Sequence, residues 1–283
     1  MAKYLMLNSK ILPSSEPCIY ANNRGLRYGD SFTHIIRGNS SKVFLLRRNY
    51  DFLVYAMRKL KMQVPTLFKM SVFATDVELL LQKNRIYKGF AAEVTIFRNH
   101  SKSKLAEENS VSVLITVEKT DTEWYELNKK GLKASVIKKY YIPQYQIDNS
   151  LTPLFSDEYF INSQSEFKNT DVCLLKSENG TILRSIDSLV IFIHEEKIII
   201  PKIISIENLS PFLGFIVSIA GDLGYEIFKA DITERDLDAF DEVFIINPEF
   251  GIKWILAYKD RRYFHKISLK LTEEINQRLQ LYQ

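Results

Sequence analysis

Short apolar runs with two different periods alternate along this chain, and no other sequence feature constrains the fold as strongly. The runs Phe90 to Phe97 and Val111 to Glu118 are rich in β-branched and aromatic residues, which predicts two strands. Between Phe52 and Leu60 the apolar residues instead recur at helical spacing, which predicts a helix. Strand and helix patterns alternate again from Leu132 to the C-terminus. The sequence therefore predicts an α+β, or mixed α/β, fold.

A polar stretch near the middle of the chain separates the two sets of apolar runs. Residues Lys119 to Lys130 contain Trp124 and Tyr125 as their main apolar side chains. A length of 283 residues suits two domains of ordinary size. We therefore expect an N-terminal α/β domain over residues 1–120, a linker over 121–131 and a C-terminal α/β domain over 132–283.

The charge and hydropathy of the chain limit the partners it can have. The 38 lysines and arginines exceed the 34 acidic residues by only four charges, which is too small an excess to indicate nucleic-acid binding. The longest apolar stretch, Phe212 to Ala220, is too short to span a bilayer. The N-terminus carries no secretory signal pattern. We expect a cytoplasmic protein without a nucleic-acid or membrane partner.

Generic motifs for metal and nucleotide chemistry are missing from the sequence. The two cysteines, Cys18 and Cys173, are far apart, which excludes a disulfide framework and a four-cysteine zinc site. The four histidines are also scattered and lack the spacing of metal ligands. Neither of the usual glycine-rich phosphate-binding loops occurs. We therefore expect no metal site.

Four sequence segments resemble motifs of the class IV aminotransferases, a family that includes the branched-chain and D-amino-acid aminotransferases and aminodeoxychorismate lyase. Asn23 to Asp30 resembles the Asp-Arg-Gly-x-x-x-Gly-Asp signature of that family. Val94 to Asn99, Asn179 to Ile182 and Asp241 to Asn247 follow in the same order as their counterparts. The variant is most similar to the aminodeoxychorismate lyase branch. The resemblance implies the two-domain D-amino-acid aminotransferase-like fold, a homodimer, and pyridoxal phosphate in a cleft between the domains.

The same resemblance places other residue types at the positions that perform the chemistry. A pyridoxal-phosphate enzyme needs a lysine for the Schiff base and an acid beside the pyridine nitrogen. Here the lysine position is Leu151, and the segment from Tyr140 to Phe167 contains no lysine. The glutamate position is Arg184. The phosphate-binding positions are also replaced, by Phe52, Ser210 to Leu213, and Pro248.

These replacements lead to the hypothesis of a non-catalytic homologue, or pseudoenzyme. We then expect no catalytic residue and no bound cofactor, with the old cleft filled in part by Phe52 and Leu151. The first alternative is an active aminotransferase or aminodeoxychorismate lyase that binds pyridoxal phosphate through a relocated lysine. The candidates for such a lysine are Lys138, Lys139 and Lys168.

The second alternative is a protein that binds a different small anionic molecule in the old cleft. Arginine forks suit carboxylates, so Arg98 and Arg184 are candidate donors, together with His34. Phe52 and Leu151 would line the same cleft. Arg184 could instead pair with a nearby acidic residue such as Asp187, which would leave it no role in binding.

Overall fold

The computed structural model describes residues 2–100, 109–141, 169–202 and 210–281. These residues form both strands and helices, with more residues in strands than in helices, which confirms the predicted mixed fold. They divide into two compact units, with the boundary between Trp124 and Tyr125. The predicted limits of the linker stay a prediction.

Unit 1 is built on a six-stranded antiparallel sheet with the strand order β2-β1-β6-β5-β3-β4. Its strands are β1 (Tyr4–Leu7), β2 (Lys10–Pro13), β3 (Ser31–Asn39), β4 (Lys42–Val43), β5 (Phe90–Arg98) and β6 (Val111–Lys119). Its helices are α1 (Arg24–Tyr28), α2 (Leu46–Lys59) and α3 (Met70–Asn84).

The core of unit 1 lies between one face of this sheet and helices α2 and α3. On β5, alternate side chains point into that core, among them Val94 and Ile96, because successive residues of a strand face opposite sides. Leu53 of α2 and Leu80 of α3 pack in the same buried cluster. The helical spacing gives α2 and α3 one apolar face each, and the strand alternation gives the sheet another. These apolar faces pack against each other in the core of unit 1.

Unit 2 is built on a nine-stranded mixed sheet with the strand order β12-β11-β10-β13-β14-β7-β8-β9, and β15 pairs with β14. Its first strands are β7 (Leu132–Tyr141), β8 (Val172–Lys176), β9 (Ile182–Ser185), β10 (Leu189–His194) and β11 (Lys197–Pro201). The remaining strands are β12 (Ile227–Ala230), β13 (Glu242–Asn247), β14 (Gly251–Tyr258) and β15 (Arg261–Arg262). Its helices are α4 (Pro211–Asp222), a 3₁₀ helix (Glu234–Ala239) and α5 (Lys266–Leu281).

A buried carboxylate fixes the start of α5 against β13. Glu242 is 4% exposed, and its Oε1 accepts a hydrogen bond from the Ile267 N–H at 2.8 Å. Its Oε2 accepts from the N–H and the Oγ of Ser268, at 3.1 and 3.3 Å. The first N–H groups of a helix have no partner inside the helix, so Glu242 satisfies them with a charge that suits the helix dipole.

Candidate functional site

The segment Asn23 to Asp30 is a structural anchor in unit 1. The Asn23 side chain accepts the Leu26 N–H at 3.2 Å and caps α1, while Gly29 ends this helix with φ = 65°, a left-handed conformation that favours glycine. The carboxylate of Asp30 then bridges two buried guanidinium groups, those of Arg24 at 2.8 Å and Arg98 at 3.1 Å. The motif thus ties α1 to the end of β5.

Arg98 belongs to this network and is surrounded by acceptors of its own unit. Its Nη2 donates to the main-chain oxygen of Leu60 at 2.8 Å, and its Nη1 donates to that of Lys61 at 3.2 Å. Nη1 also donates to the Asn109 side chain, and Nε donates to Asp30. Hydrogen bonds at all three guanidinium nitrogens hold this side chain in place, which is a structural role. The expected role of Arg98 as a donor to an anion stays a prediction.

His34 lies on the face of β3 that points toward α2. It is 7% exposed, and its Nε2 lies 2.7 Å from Oδ1 of Asn49, with the hydrogen assigned to His34 because that oxygen can only accept. Burial lowers the pKa of His34 to about 4, and the hydrogen bond with Asn49 opposes this shift only in part. His34 is therefore neutral near pH 7 and supplies no positive charge to an anionic ligand.

Phe52 lies beside this histidine on α2. The two ring centroids are 4.7 Å apart, and Phe52 is partly buried against the core of unit 1. The resemblance assigns Phe52 to a phosphate-binding arginine. A phenyl ring packed against a buried, neutral imidazole thus occupies the position where the resemblance implies a cationic donor to phosphate.

Unit 2 holds the other candidate residues that are described. Arg184, on β9, donates through Nη1 to the main-chain oxygen of Ser185 at 3.1 Å and to that of Ile186. These neighbouring carbonyl groups orient its side chain. Asp187, named as a possible partner, accepts a hydrogen bond from the Ser188 hydroxyl at 2.7 Å.

Residues of the helix start itself occupy the N-terminus of α4, where a phosphate could otherwise bind. Ser210 caps the helix, since its Oγ accepts the Leu213 N–H at 3.2 Å, and Pro211 in the first turn has no N–H to offer. Phe212 is 3% exposed, and its ring centroid lies 5.1 Å from that of Tyr125. A phosphate at this helix start would therefore compete with the Ser210 hydroxyl for a donor.

Pro248 follows β13 and takes part in the packing of unit 2. Its main-chain oxygen accepts the Tyr125 hydroxyl at 2.8 Å. The side chain of Asn247 donates to the Asp187 main-chain oxygen at 2.7 Å and accepts the Glu249 N–H at 2.8 Å. A hydroxyl donor for phosphate is missing at position 248 because proline occupies it.

Several candidate residues lie outside the described part of the structure. These are Leu151 and Lys168, together with the side chains of Lys138 and Lys139 in β7. Within the described ranges, no group of three or more His, Cys, Asp or Glu side chains could hold a metal ion. No helix in those ranges is both long enough and apolar enough to cross a membrane.

Two acidic residues of structural importance were not among the predicted site residues. Asp30 and Glu242 each lie inside a segment that resembles a family motif, and each carboxylate accepts several hydrogen bonds. Their place in those segments was the available signal. The groups that each carboxylate contacts include ones that are distant along the chain, so the sequence alone does not reveal them.

Comparison with solved structures identifies the class of fold. The branched-chain aminotransferase from Thermoproteus uzoniensis with norvaline has a TM-score of 0.82 and 16% sequence identity, over 99% of this chain and 95% of that chain. The branched-chain amino acid aminotransferase from Escherichia coli has a TM-score of 0.80 and 15% identity, over 96% and 92% of the two chains. The holo-form enzyme from Thermobaculum terrenum has a TM-score of 0.80 and 17% identity, over 98% and 94%. The chain therefore has the class IV aminotransferase fold over nearly its whole length.

The sequence comparisons give no further assignment. No protein-family model matches the chain, and no curated protein matches it in sequence. At 15–18% identity the structural neighbours establish the fold, and the activities in their names remain statements about those proteins.

The expectation that no cofactor is involved needs correction. Among the structural neighbours, one is described as a holo-form with PLP, one contains pyridoxamine 5'-phosphate, and one contains N-(5'-phosphopyridoxyl)-L-glutamate. Solved members of this fold thus hold pyridoxal-phosphate forms, and this finding overturns the expectation. The described residues at the resembling positions, Phe52, Arg184, Pro211 and Pro248, nevertheless do not fit the donors and the acid that the family supplies.

Proposed function

We propose that this protein is a non-catalytic homologue of the class IV aminotransferases. The observation that carries the proposal is the segment without lysine from Tyr140 to Phe167, in which the resemblance places the Schiff-base lysine at Leu151. Leucine has no nucleophilic or basic atom, so it cannot form a Schiff base or move the substrate proton.

The described surroundings of His34 and Phe52 support the proposal. Burial keeps His34 neutral near pH 7, and the Phe52 ring packs against it where the resemblance implies a phosphate-binding arginine. At the glutamate position, Arg184 would oppose protonation of a pyridine nitrogen, because two like charges repel. The proposal concerns turnover. Pyridoxal phosphate held by hydrogen bonds alone, without a Schiff base, does not conflict with it.

We further propose that the protein acts in the cytoplasm as a homodimer. Exposed apolar side chains in and just before α1, Tyr20, Leu26 and Tyr28, would suit a subunit interface. The exposed fractions are 84%, 71% and 49%, which is high for side chains of this size. Analytical ultracentrifugation of the full chain measures the oligomeric state directly.

Borohydride trapping tests the proposed loss of catalysis. The purified chain is incubated with pyridoxal phosphate, reduced with borohydride, and searched by peptide mapping for phosphopyridoxyl-lysine, and aminotransfer from branched-chain amino acids is assayed in parallel. We expect no single lysine to be labelled stoichiometrically and no turnover. A branched-chain aminotransferase carried through the same steps is the positive control. Stoichiometric label on Lys138, Lys139 or Lys168 together with turnover would overturn the proposal.

A further inference from the structure

A cavity of about 340 Å³ lies beside the unit 1 sheet, and Met6, Val111 and Val113 are among its lining residues. One wall is the core face of the sheet, with Met6 of β1 and Val113 of β6. The opposite wall is formed by Phe68, in the segment between α2 and α3, and by Val72 of α3. None of His34, Phe52 and Arg98 lines it. Its size and its mostly apolar wall are typical of small-molecule sites.

A carboxylate supplies the charge of this cavity. Asp76 of α3 is partly buried at its edge, and its Oδ2 accepts a hydrogen bond from the Ser9 hydroxyl at 2.6 Å. The described lining residues include no lysine, arginine or histidine, and the other polar ones are neutral. The cavity therefore combines a large apolar surface with one negative charge at its edge.

The walls are held in place by hydrogen bonds that do not depend on a ligand. The Asn8 side chain accepts the Val113 N–H at 2.9 Å and donates to the Ser112 hydroxyl at 3.0 Å, which fixes the turn between β1 and β2 to β6. The Gln63 N–H donates to the Asn109 main-chain oxygen at 2.7 Å. A preformed site loses little conformational freedom when it binds, so its apolar area contributes to affinity.

We propose that this cavity binds a small organic cation, a primary amine with an aliphatic or aromatic body. The ammonium group pairs with the Asp76 carboxylate, and the apolar body lies between Val72 and the sheet residues Met6 and Val113. Charge complementarity selects an amine over an acid of the same shape, because no cation lines the described cavity to receive a carboxylate. This inference is independent of the proposed function, since it requires neither presence nor absence of a cofactor.

Octylamine, octan-1-ol and octanoate are matched probes for this site, since they share one apolar body and differ in the charge of the head group. Binding to the full chain is measured by titration calorimetry below the micelle-forming range. We expect octylamine to bind roughly tenfold more tightly than octan-1-ol, the ratio typical of a hydrogen bond to a charged group, and octanoate to bind weakest. Equal affinity for the three probes, or binding by none of them, would overturn the inference.

Two pairs of variants assign the binding to the cavity. Asp76→Asn removes the charge but keeps an acceptor for Ser9, and it should remove the roughly tenfold preference for octylamine. The exposed Asp51→Asn is its control and should keep that preference. Val72→Trp fills the cavity and should weaken all three probes, whereas Leu79→Trp, on the exposed part of the same helix, should leave them unchanged. Circular dichroism of each variant verifies folding, and octylamine binding that survives both Asp76→Asn and Val72→Trp contradicts the site.

Discussion

His34 offers a direct test of the buried environment beside Phe52, the residue that the resemblance places at a phosphate-binding arginine. Burial lowers the pKa of its imidazole from 6.5 to about 4 in the folded chain. Between pH 6.5 and about pH 4, His34 binds a proton in the unfolded chain but not in the folded chain. Protonation therefore favours unfolding, and the stability contributed by a neutral His34 is present above pH 6.5 and is lost as the pH falls toward 4.

The size of this loss follows from the pKa difference. Each pKa unit corresponds to about 1.4 kcal/mol, so the full difference corresponds to about 3 kcal/mol between neutral pH and pH 4. Substitution His34→Gln removes the titration and keeps a donor for the Asn49 side chain. The free energy of unfolding is measured with urea at several pH values. Between neutral pH and pH 4 it should fall by about 3 kcal/mol less in His34→Gln than in the wild type.

A control variant and a second measurement complete this test. His100 is exposed, so His100→Gln should follow the pH profile of the wild type. An NMR titration of the imidazole C–H resonances reports the pKa of His34 in the folded chain without unfolding it. Parallel pH profiles for wild type and His34→Gln, or an imidazole that titrates near 6.5, would refute the reasoning. His34 would then again be a candidate donor to an anionic ligand.

Three further predictions concern the polar groups that position the elements, each measured by urea or thermal unfolding. Asp30→Asn should destabilise by about 3 kcal/mol, because it leaves two buried arginines without their shared carboxylate, whereas the exposed Asp51→Asn should cost less than about 1 kcal/mol. Glu242→Gln should lower the free energy of unfolding by about 2 kcal/mol, because an amide nitrogen would then face the first N–H groups of α5. An effect no larger than that of the exposed Glu273→Gln would contradict this prediction. Ser210→Ala should cost about 1 kcal/mol and Ser210→Asp should not, because aspartate also caps a helix.

Strand positions could be predicted well from the sequence, while helix starts could not. The predicted runs Phe90 to Phe97 and Val111 to Glu118 each end one residue short of β5 and β6. Uninterrupted runs of β-branched and aromatic residues give so strong a strand signal that tertiary context changes little. Helix α2 begins at Leu46, well before the predicted apolar pattern that starts at Phe52, and Leu45 in front of it forms no side-chain cap that the sequence could reveal.

The role of Arg98 shows why a candidate site is harder to predict than a strand. A buried arginine at the end of β5 could bind a ligand or hold the fold, and the sequence does not separate the two. Its acceptors include the main-chain oxygens of Leu60 and Lys61, which lie 38 and 37 positions away along the chain. Every residue has a main-chain carbonyl group, so the sequence does not indicate which of them accepts a hydrogen bond from Arg98. Only the folded structure identifies these acceptors.

The residues that resemble family motifs and the residues at the positions where the resemblance implies phosphate binding have different physical roles in this chain. Asn23, Gly29 and Asp30 cap, end and anchor α1, so the fold itself requires such groups whether or not any reaction occurs. Phe52 and Phe212 stand at resembling phosphate positions and instead bury aromatic surface, which contributes to stability through the hydrophobic effect. A chain that only has to fold needs the capping and anchoring residues and gains stability from the two phenylalanines. If Phe52→Arg lowers the free energy of unfolding and creates no phosphate-binding site, the requirement for folding is sufficient to explain these residues.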